Sequence, residues 1–282
     1  MRLAALLAVL AAPVAADMRV TQAECTGSWL RVVDLLVAPL SGLMALESTD
    51  EEENGFDAIG GGLTFDGWCF VEPGPLGALM GIDFEEVRWR ADRLDDFANG
   101  RGLPSGLQLR LTGGDAGPSD AISYIALTLR HLPDEGLLFV EQLDLGHPND
   151  RPIAVTAVLG GAYFRDIGSA MMAAGGLNLQ KLSATVETTP ELMTEFAPDL
   201  TTSMLESAIL GLSFGQLDRV DRRAALDFAA ALPDATGLLV VELTSERGLG
   251  IIQIGMAGTK EGAEVVSFAL SGATVGVGWT PK

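Results

Sequence analysis

Between Leu107 and Tyr163 the chain alternates apolar and polar residues in one run after another. Leu107-Gln-Leu-Arg-Leu-Thr112 does so without a break, and Ile125, Leu127 and Leu129 alternate with Ala126, Thr128 and Arg130. Leu137–Leu145 and Ile153–Leu159 follow at similar spacing. A period of two puts every second side chain on one face of an extended backbone, and a helix cannot satisfy it. Gly113-Gly114-Asp115, Pro133-Asp134-Glu135-Gly136 and His147-Pro148-Asn149-Asp150 separate the runs with turn-forming residues. Links this short join antiparallel neighbours, because a parallel crossover needs a dozen residues or more. The spacing predicts an antiparallel meander of four strands at the centre of the chain.

The flanks predict helices and further strands. Val87-Arg-Trp-Arg-Ala-Asp92 alternates cleanly, and Gly60-Gly61-Gly62 leads into a strand over Leu63–Phe70. Thr26–Leu46 is apolar throughout, and Pro39 makes it a broken helix or a helix followed by a strand. After the meander, Phe164–Gly176 reads as helix and Leu182, Ala184 and Val186 as one face of a strand. Thr189-Pro190-Glu191 starts a helix, Asp199 starts a second, and Asp221–Leu232 forms a third that Pro233 and Gly237 stop. Leu238–Leu243, Ile251–Ile254, Val265–Leu270 and Thr274–Trp279 read as closing strands.

The expected class is α+β: a mostly antiparallel, curved sheet with helices packed on one face. Leu138–Val140 and Leu238–Val241 are apolar at every position, which predicts strands in the middle of the sheet. Helix, glycine stop and strand recur at Asp166–Glu187 and Asp221–Thr244. That recurrence suggests two similar lobes, a β-rich one over 17–163 and a helix-plus-strand one over 164–282.

The first sixteen residues stand apart. Met1-Arg2 is a short positive region, Leu3–Ala12 is wholly apolar, and Val14-Ala15-Ala16 offers small residues before Asp17. This is the pattern of a secretory signal peptide, with cleavage expected after Ala16 and the periplasm as destination. Cys25 and Cys69 are the only two cysteines. In an oxidising compartment a disulfide between them is the expected state, with two buried thiols as the alternative. The absence of a C-x-x-C removes the main support for thiol–disulfide exchange. With 18 Lys and Arg against 38 Asp and Glu, the chain carries a formal charge of −20. Such a balance repels nucleic-acid phosphates, so nucleic acid is not an expected partner.

Gly211-Leu212-Ser213-Phe214-Gly215 matches G-x-S-x-G, which would make Ser213 a hydrolase nucleophile. That motif needs a strand before the serine and a histidine after it; the preceding segment reads as helix, and no histidine follows His147. His131 and His147 lie beside Asp134, Glu135, Glu141 and Asp144, but without metal-ligand spacing, and both read as surface residues in turns. The acidic run Thr49–Gly55 lacks the spacing of a calcium loop, and Asn99–Gly106 lacks that of a dinucleotide fingerprint. No metal or cofactor is therefore expected, nor a catalytic role.

At the level of whole-chain pattern the sequence resembles the periplasmic AsmA and YdgA proteins of Gram-negative bacteria. The residues that carry the likeness are Val87–Asp92 with Gly102–Gly113, Leu177–Glu187, and Thr236–Leu243. The resemblance implies an exported, β-rich domain with amphipathic strands and a link to envelope and lipid homeostasis. It transfers no site residues, and this chain is much shorter than AsmA. The expectation that results is a non-catalytic periplasmic protein that binds an apolar, lipid-like ligand or an envelope partner through its sheet. An envelope assembly module without a ligand is the alternative.

Overall fold

The alternating runs become neighbouring strands of a single sheet. The computed structural model describes residues 20–21, 23–29, 31–32, 60–64, 66–72, 84–113, 123–147, 150–166, 169, 176–196, 200–250, 253, 266 and 268–282. Ten strands follow one another in the sheet in chain order. They are β1 (Gly60–Leu63), β2 (Cys69–Glu72), β3 (Phe84–Ala91), β4 (Gly106–Gly113) and β5 (Tyr124–Leu132). The rest are β6 (Leu137–His147), β7 (Asp150–Gly160), β8 (Asn178–Thr188), β9 (Gly237–Gly250) and β10 (Thr274–Pro281). Every neighbouring pair is antiparallel. Among the described residues β1 pairs only with β2 and β10 only with β9, so the sheet is open.

Helical residues 23–29 and 31–32 (α1) precede the sheet, and Leu94–Ala98 (α2) joins β3 to β4. Pro190–Phe196 (α3), Thr202–Gly211 (α4) and Arg219–Ala231 (α5) lie between β8 and β9. Each of these last three starts on a side chain that accepts from otherwise unpaired backbone N–H groups. The Thr189 hydroxyl accepts from Leu192 N at 3.2 Å, the Thr201 hydroxyl from Met204 N at 3.3 Å, and the Asp218 carboxylate from Val220 N at 2.8 Å. No described helix is long and apolar enough to cross a membrane.

Register keeps the apolar residues together. Val87 pairs with Leu111, Leu111 with Ile125, Ile125 with Leu145, Leu145 with Ile153, and Ile153 with Val186. Paired residues share a face, so one side of the sheet is apolar from strand to strand. Two bulges preserve this where the sequence breaks its alternation. Leu143 faces Val155 and Val140 faces Ala157, so Glu141 and Gln142 occupy the space of one residue. Lys181 faces Val158 and Leu179 faces Leu159, so Gln180 is an extra residue in β8. Each bulge sits at two adjacent polar residues and returns the following apolar residue to the apolar face.

Helices pack on that face. α1 lays Cys25, Trp29 and Val32 against Val87, Trp89, Leu109 and Leu111, together with Leu94 and Phe97 of α2. Trp29 and Trp89 lie with ring centroids 5.3 Å apart, and the Trp89 indole N–H donates to the Ser28 hydroxyl at 2.9 Å. The Cys25–Cys69 disulfide joins α1 to β2. At the other end, α4 and α5 pack Ile209, Leu212, Ala225 and Ala229 against Val275 and Val277 of β10. The Phe228 and Trp279 rings meet edge to face at 5.0 Å.

Several expectations change. The strand expected over Leu63–Phe70 is a hairpin of β1 and β2. Asp66 and Gly67 turn the chain, Gly67 takes φ 81°, and the Thr64 side chain braces the turn against Trp68 N. Val265–Leu270 is not a strand: residues 266, 268 and 269 are helical, and Leu270 N donates to Val266 O at 2.9 Å. Within Ile251–Ile254, Gln253 is helical. α4 begins after Thr201 rather than at Asp199. β6 is central as expected, but β9 lies next to the edge strand. β7 and β8 flank the expected lobe boundary at residue 163 and pair along their lengths, so one sheet runs through both halves. The signal peptide expected over 1–16, the acidic run at 49–55, the segment at 33–46 and most of 167–175 lie outside the described residues.

Two measurements follow from this fold. The disulfide closes a chain separation of 44 residues. Replacing both cysteines by Ala is expected to lower the unfolding free energy in urea by about 2–4 kcal/mol. Gly248 has φ +75°, and a Cβ on it would collide with the Asn178 side chain, whereas a Cβ on Gly250 meets nothing within 4 Å. Gly248→Ala is expected to destabilise by about 1–3 kcal/mol, and Gly250→Ala by less than about 1 kcal/mol, in the same measurement.

Candidate functional site

The two faces of the sheet have opposite chemistry because the strands alternate. The polar face carries Arg88, Arg90 and Arg110 near the β3 end and Thr156, Ser183 and Glu242 farther along. Near the β3 end, Trp68 is buried beneath two guanidinium groups, with Arg90 at 4.9 Å and Arg110 at 4.4 Å from the ring. Arg90 also donates to the Gln108 side-chain oxygen at 2.6 Å. Phe139 lies on the same face under Arg130, which is ion-paired to Glu141. Strand positions apolar on both faces, such as Leu138–Val140, thus hide their polar-face member under a cation.

Burial along the apolar face is uneven. Near β3 and β4 it is complete: Trp89 is 0 % exposed, Leu109 3 % and Leu111 2 %, beneath α1 and α2. Near β10 it is again covered by α4 and α5. Between them, Val155 and Ala157 of β7, Ala184 and Val186 of β8, and Leu239 and Val241 of β9 are only half-buried. They are cross-strand neighbours, Val155 with Ala184 and Ala184 with Val241. Among the described residues these positions form an apolar strip between two helical groups, beside a buried cluster of Leu243, Leu249 and Ala273. Alanines in its middle rows leave it lower than the Leu and Trp positions at either end. A surface of this kind takes up apolar matter through the hydrophobic effect and offers almost no directional polar contact.

The residues singled out in the sequence do not converge on this strip. Ser213 lies in the link between α4 and α5, so a helix precedes it where a nucleophile elbow needs a strand. Its hydroxyl donates to the Gln216 side-chain oxygen at 3.0 Å. His147 is exposed and shares a hydrogen bond of 2.7 Å with the Ser123 hydroxyl. His131 departs from the expected surface position. Its partner across β6 is Leu138, so it faces the apolar side, 6 % exposed. The His131 Nε2–H donates to the Ala162 carbonyl at 2.8 Å, and the ring stacks on Phe164 at 4.6 Å. This satisfied histidine clamps the chain leaving β7 onto the end of β5.

Among the described residues no three His, Cys, Asp or Glu side chains gather as metal ligands. Carboxylates with shifted acidity are held in the charged form. The Thr64 hydroxyl keeps Asp66 below the ordinary carboxylate range, and Arg93 and Arg101 do the same for Asp96. A general acid near neutral pH needs the opposite shift. The strip itself was legible only as alternating apolar residues; nothing in the residue order shows which of them a helix covers.

Uneven cover predicts uneven tolerance. Leu109→Asn, deep beneath α1, is expected to cost about 3 kcal/mol or more in urea unfolding, and Val155→Asn on the strip about 1 kcal/mol or less. Equal costs at the two positions would show that the strip is as dry as the rest of the core. Comparison of the chain with protein-family models, with curated proteins and with solved structures finds no match to any of them.

Proposed function

We propose that this is an exported, periplasmic, non-catalytic protein that binds an apolar, lipid-like ligand along the half-buried strip of β7, β8 and β9. The observation that supports the reading is the uneven burial of the apolar face among the described residues: dry beneath α1 and α2 at β3 and β4, and only half-buried along Val155, Ala157, Ala184, Val186, Leu239 and Val241. The strip spans three neighbouring strands, roughly 10 Å between the axes of β7 and β9 at the ~4.8 Å strand spacing, room for a segment of a hydrocarbon chain lying across them. The Cys25–Cys69 disulfide and the signal-like N-terminus both fit an oxidising compartment.

Native mass spectrometry of protein purified from cells tests the reading directly. A bound species of lipid mass that organic extraction removes is the expected result. Ala184→Trp, which fills the strip at its lowest row, is expected to weaken binding of a fluorescent fatty acid by roughly tenfold, about 1.4 kcal/mol. Protein that carries no lipid and binds no fatty acid would favour the assembly-module reading, in which an envelope protein covers the strip; crosslinking through a photoreactive residue at Val155 would then identify it.

A further inference from the structure

A second apolar surface lies on the tip of the α4–α5 hairpin, away from the strip. Five large hydrophobic residues are strongly exposed among the described residues, and four of them, Met204, Leu210, Phe214 and Val220, belong to this hairpin. Three are at its tip: Leu210 in the last turn of α4 at 65 % exposure, Phe214 in the link at 67 %, and Val220 in the first turn of α5 at 76 %. Scattered exposed hydrophobics are ordinary, but a concentration on one protruding turn is not.

Hydrogen bonds tie the tip together. Leu217 N donates to Ser213 O at 3.0 Å, and the Asp218 carboxylate accepts from Val220 N and Asp221 N at the start of α5. The Arg222 guanidinium donates to Ile209 O and Leu212 O, closing the carbonyl end of α4. Gln216 fixes the link from beneath, its side-chain amide donating to Leu270 O at 3.0 Å while its carbonyl accepts from Val275 N at 2.7 Å. Phe214 is thus displayed by design of the loop, not left over by it, and the backbone around it needs little from water.

We infer that this tip inserts shallowly into the surface of a phospholipid bilayer. Arg219 is exposed with its guanidinium 5.9 Å from the Phe214 ring, so a cation flanks the apolar wedge at the level where lipid phosphates would lie. Arg222, 4.8 Å from the ring, is held by the carbonyls that end α4. Of the nearby acids, Asp218 caps α5 and Asp227 lies 3.8 Å from Arg223. Protein interfaces bury about 800 Å² per partner, more than three side chains on a convex turn supply, whereas a bilayer accepts a small wedge. At physiological salt, charges beyond about 8 Å are screened, so the −20 charge of the whole chain does not prevent local contact. The inference is independent of what the sheet's strip binds.

Co-sedimentation with sucrose-loaded vesicles tests it, using protein expressed from the full chain and compared with Leu210→Ser/Phe214→Ser/Val220→Ser made in the same way. Phosphatidylethanolamine vesicles are expected to retain the wild type, and vesicles with added phosphatidylglycerol to retain more. Phe214→Ser should lower the partition about tenfold and the triple variant about a hundredfold, with thermal unfolding unchanged because these side chains are exposed. Absence of wild-type binding to both kinds of vesicle overturns the inference, as does binding that the triple variant keeps. A wild-type dimer in analytical ultracentrifugation that the triple variant dissolves also overturns it, by assigning the tip to a second copy of the chain.

Discussion

Cross-strand pairing in constant phase is the constraint on which this structure rests. Each residue of an antiparallel pair shares a face with its partner, so a slip of one position anywhere would send the apolar rows of every later strand to the polar side. The chain from Val87 through Leu111, Ile125, Leu145 and Ile153 to Val186 holds its phase across six strands. It does so by bulges, at Glu141-Gln142 and at Gln180-Lys181, and not by perfect alternation. In each case the extra residue is polar, so the correction costs little apolar burial. One of them also supplies Glu141 as the ion-pair partner of Arg130.

Helices then divide the apolar face unequally. The Cys25–Cys69 bridge and the Trp29–Trp89 contact hold α1 over the first strands, while Phe228 and Trp279 anchor α5 over the last. The large aromatic side chains of the two cores are therefore at the ends of the sheet. Between them the strip is lined by Val155, Ala157, Ala184, Val186, Leu239 and Val241, aliphatic side chains smaller than the aromatics at the ends. This distribution of side-chain size is the physical basis for a shallow apolar strip, and it motivates the reading of a binding face. The polar surface meets the same problem differently, covering Trp68 and Phe139 with the planes and stems of arginines.

Much of the fold was visible in the residue order. The four strands of the meander, β3, β8 and β10, and the helices beginning at Pro190 and near Asp221 all lie where period and capping residues put them. The misassignments have identifiable causes. Leu63–Phe70 was read as one strand because the Asp66-Gly67 turn is flanked by apolar residues on both sides. Val265–Leu270 is rich in β-branched and aromatic residues, yet residues 266, 268 and 269 are helical. The adjacent polar pairs that mark the bulges were present in the sequence and are the signal that would have found them. His131 was placed on the surface by its position near a turn; its burial depends on Ala162 and Phe164, which return to it only after β6 and β7 have formed.

Sequence alone determined the order and antiparallel pairing of the four meander strands and their one apolar face, because these follow from local periodicity and short turns. It also made a disulfide between the only two cysteines the expected state. Tertiary structure decided which part of that face lies beneath helices, since helix position depends on contacts between residues as far apart as Ser28 and Trp89 or Gln216 and Leu270. It likewise decided that Phe214, and not the Ser213 beside it, is the notable residue of the Gly211–Gly215 motif. A side chain's exposure is set by what packs around it, and no local pattern encodes that.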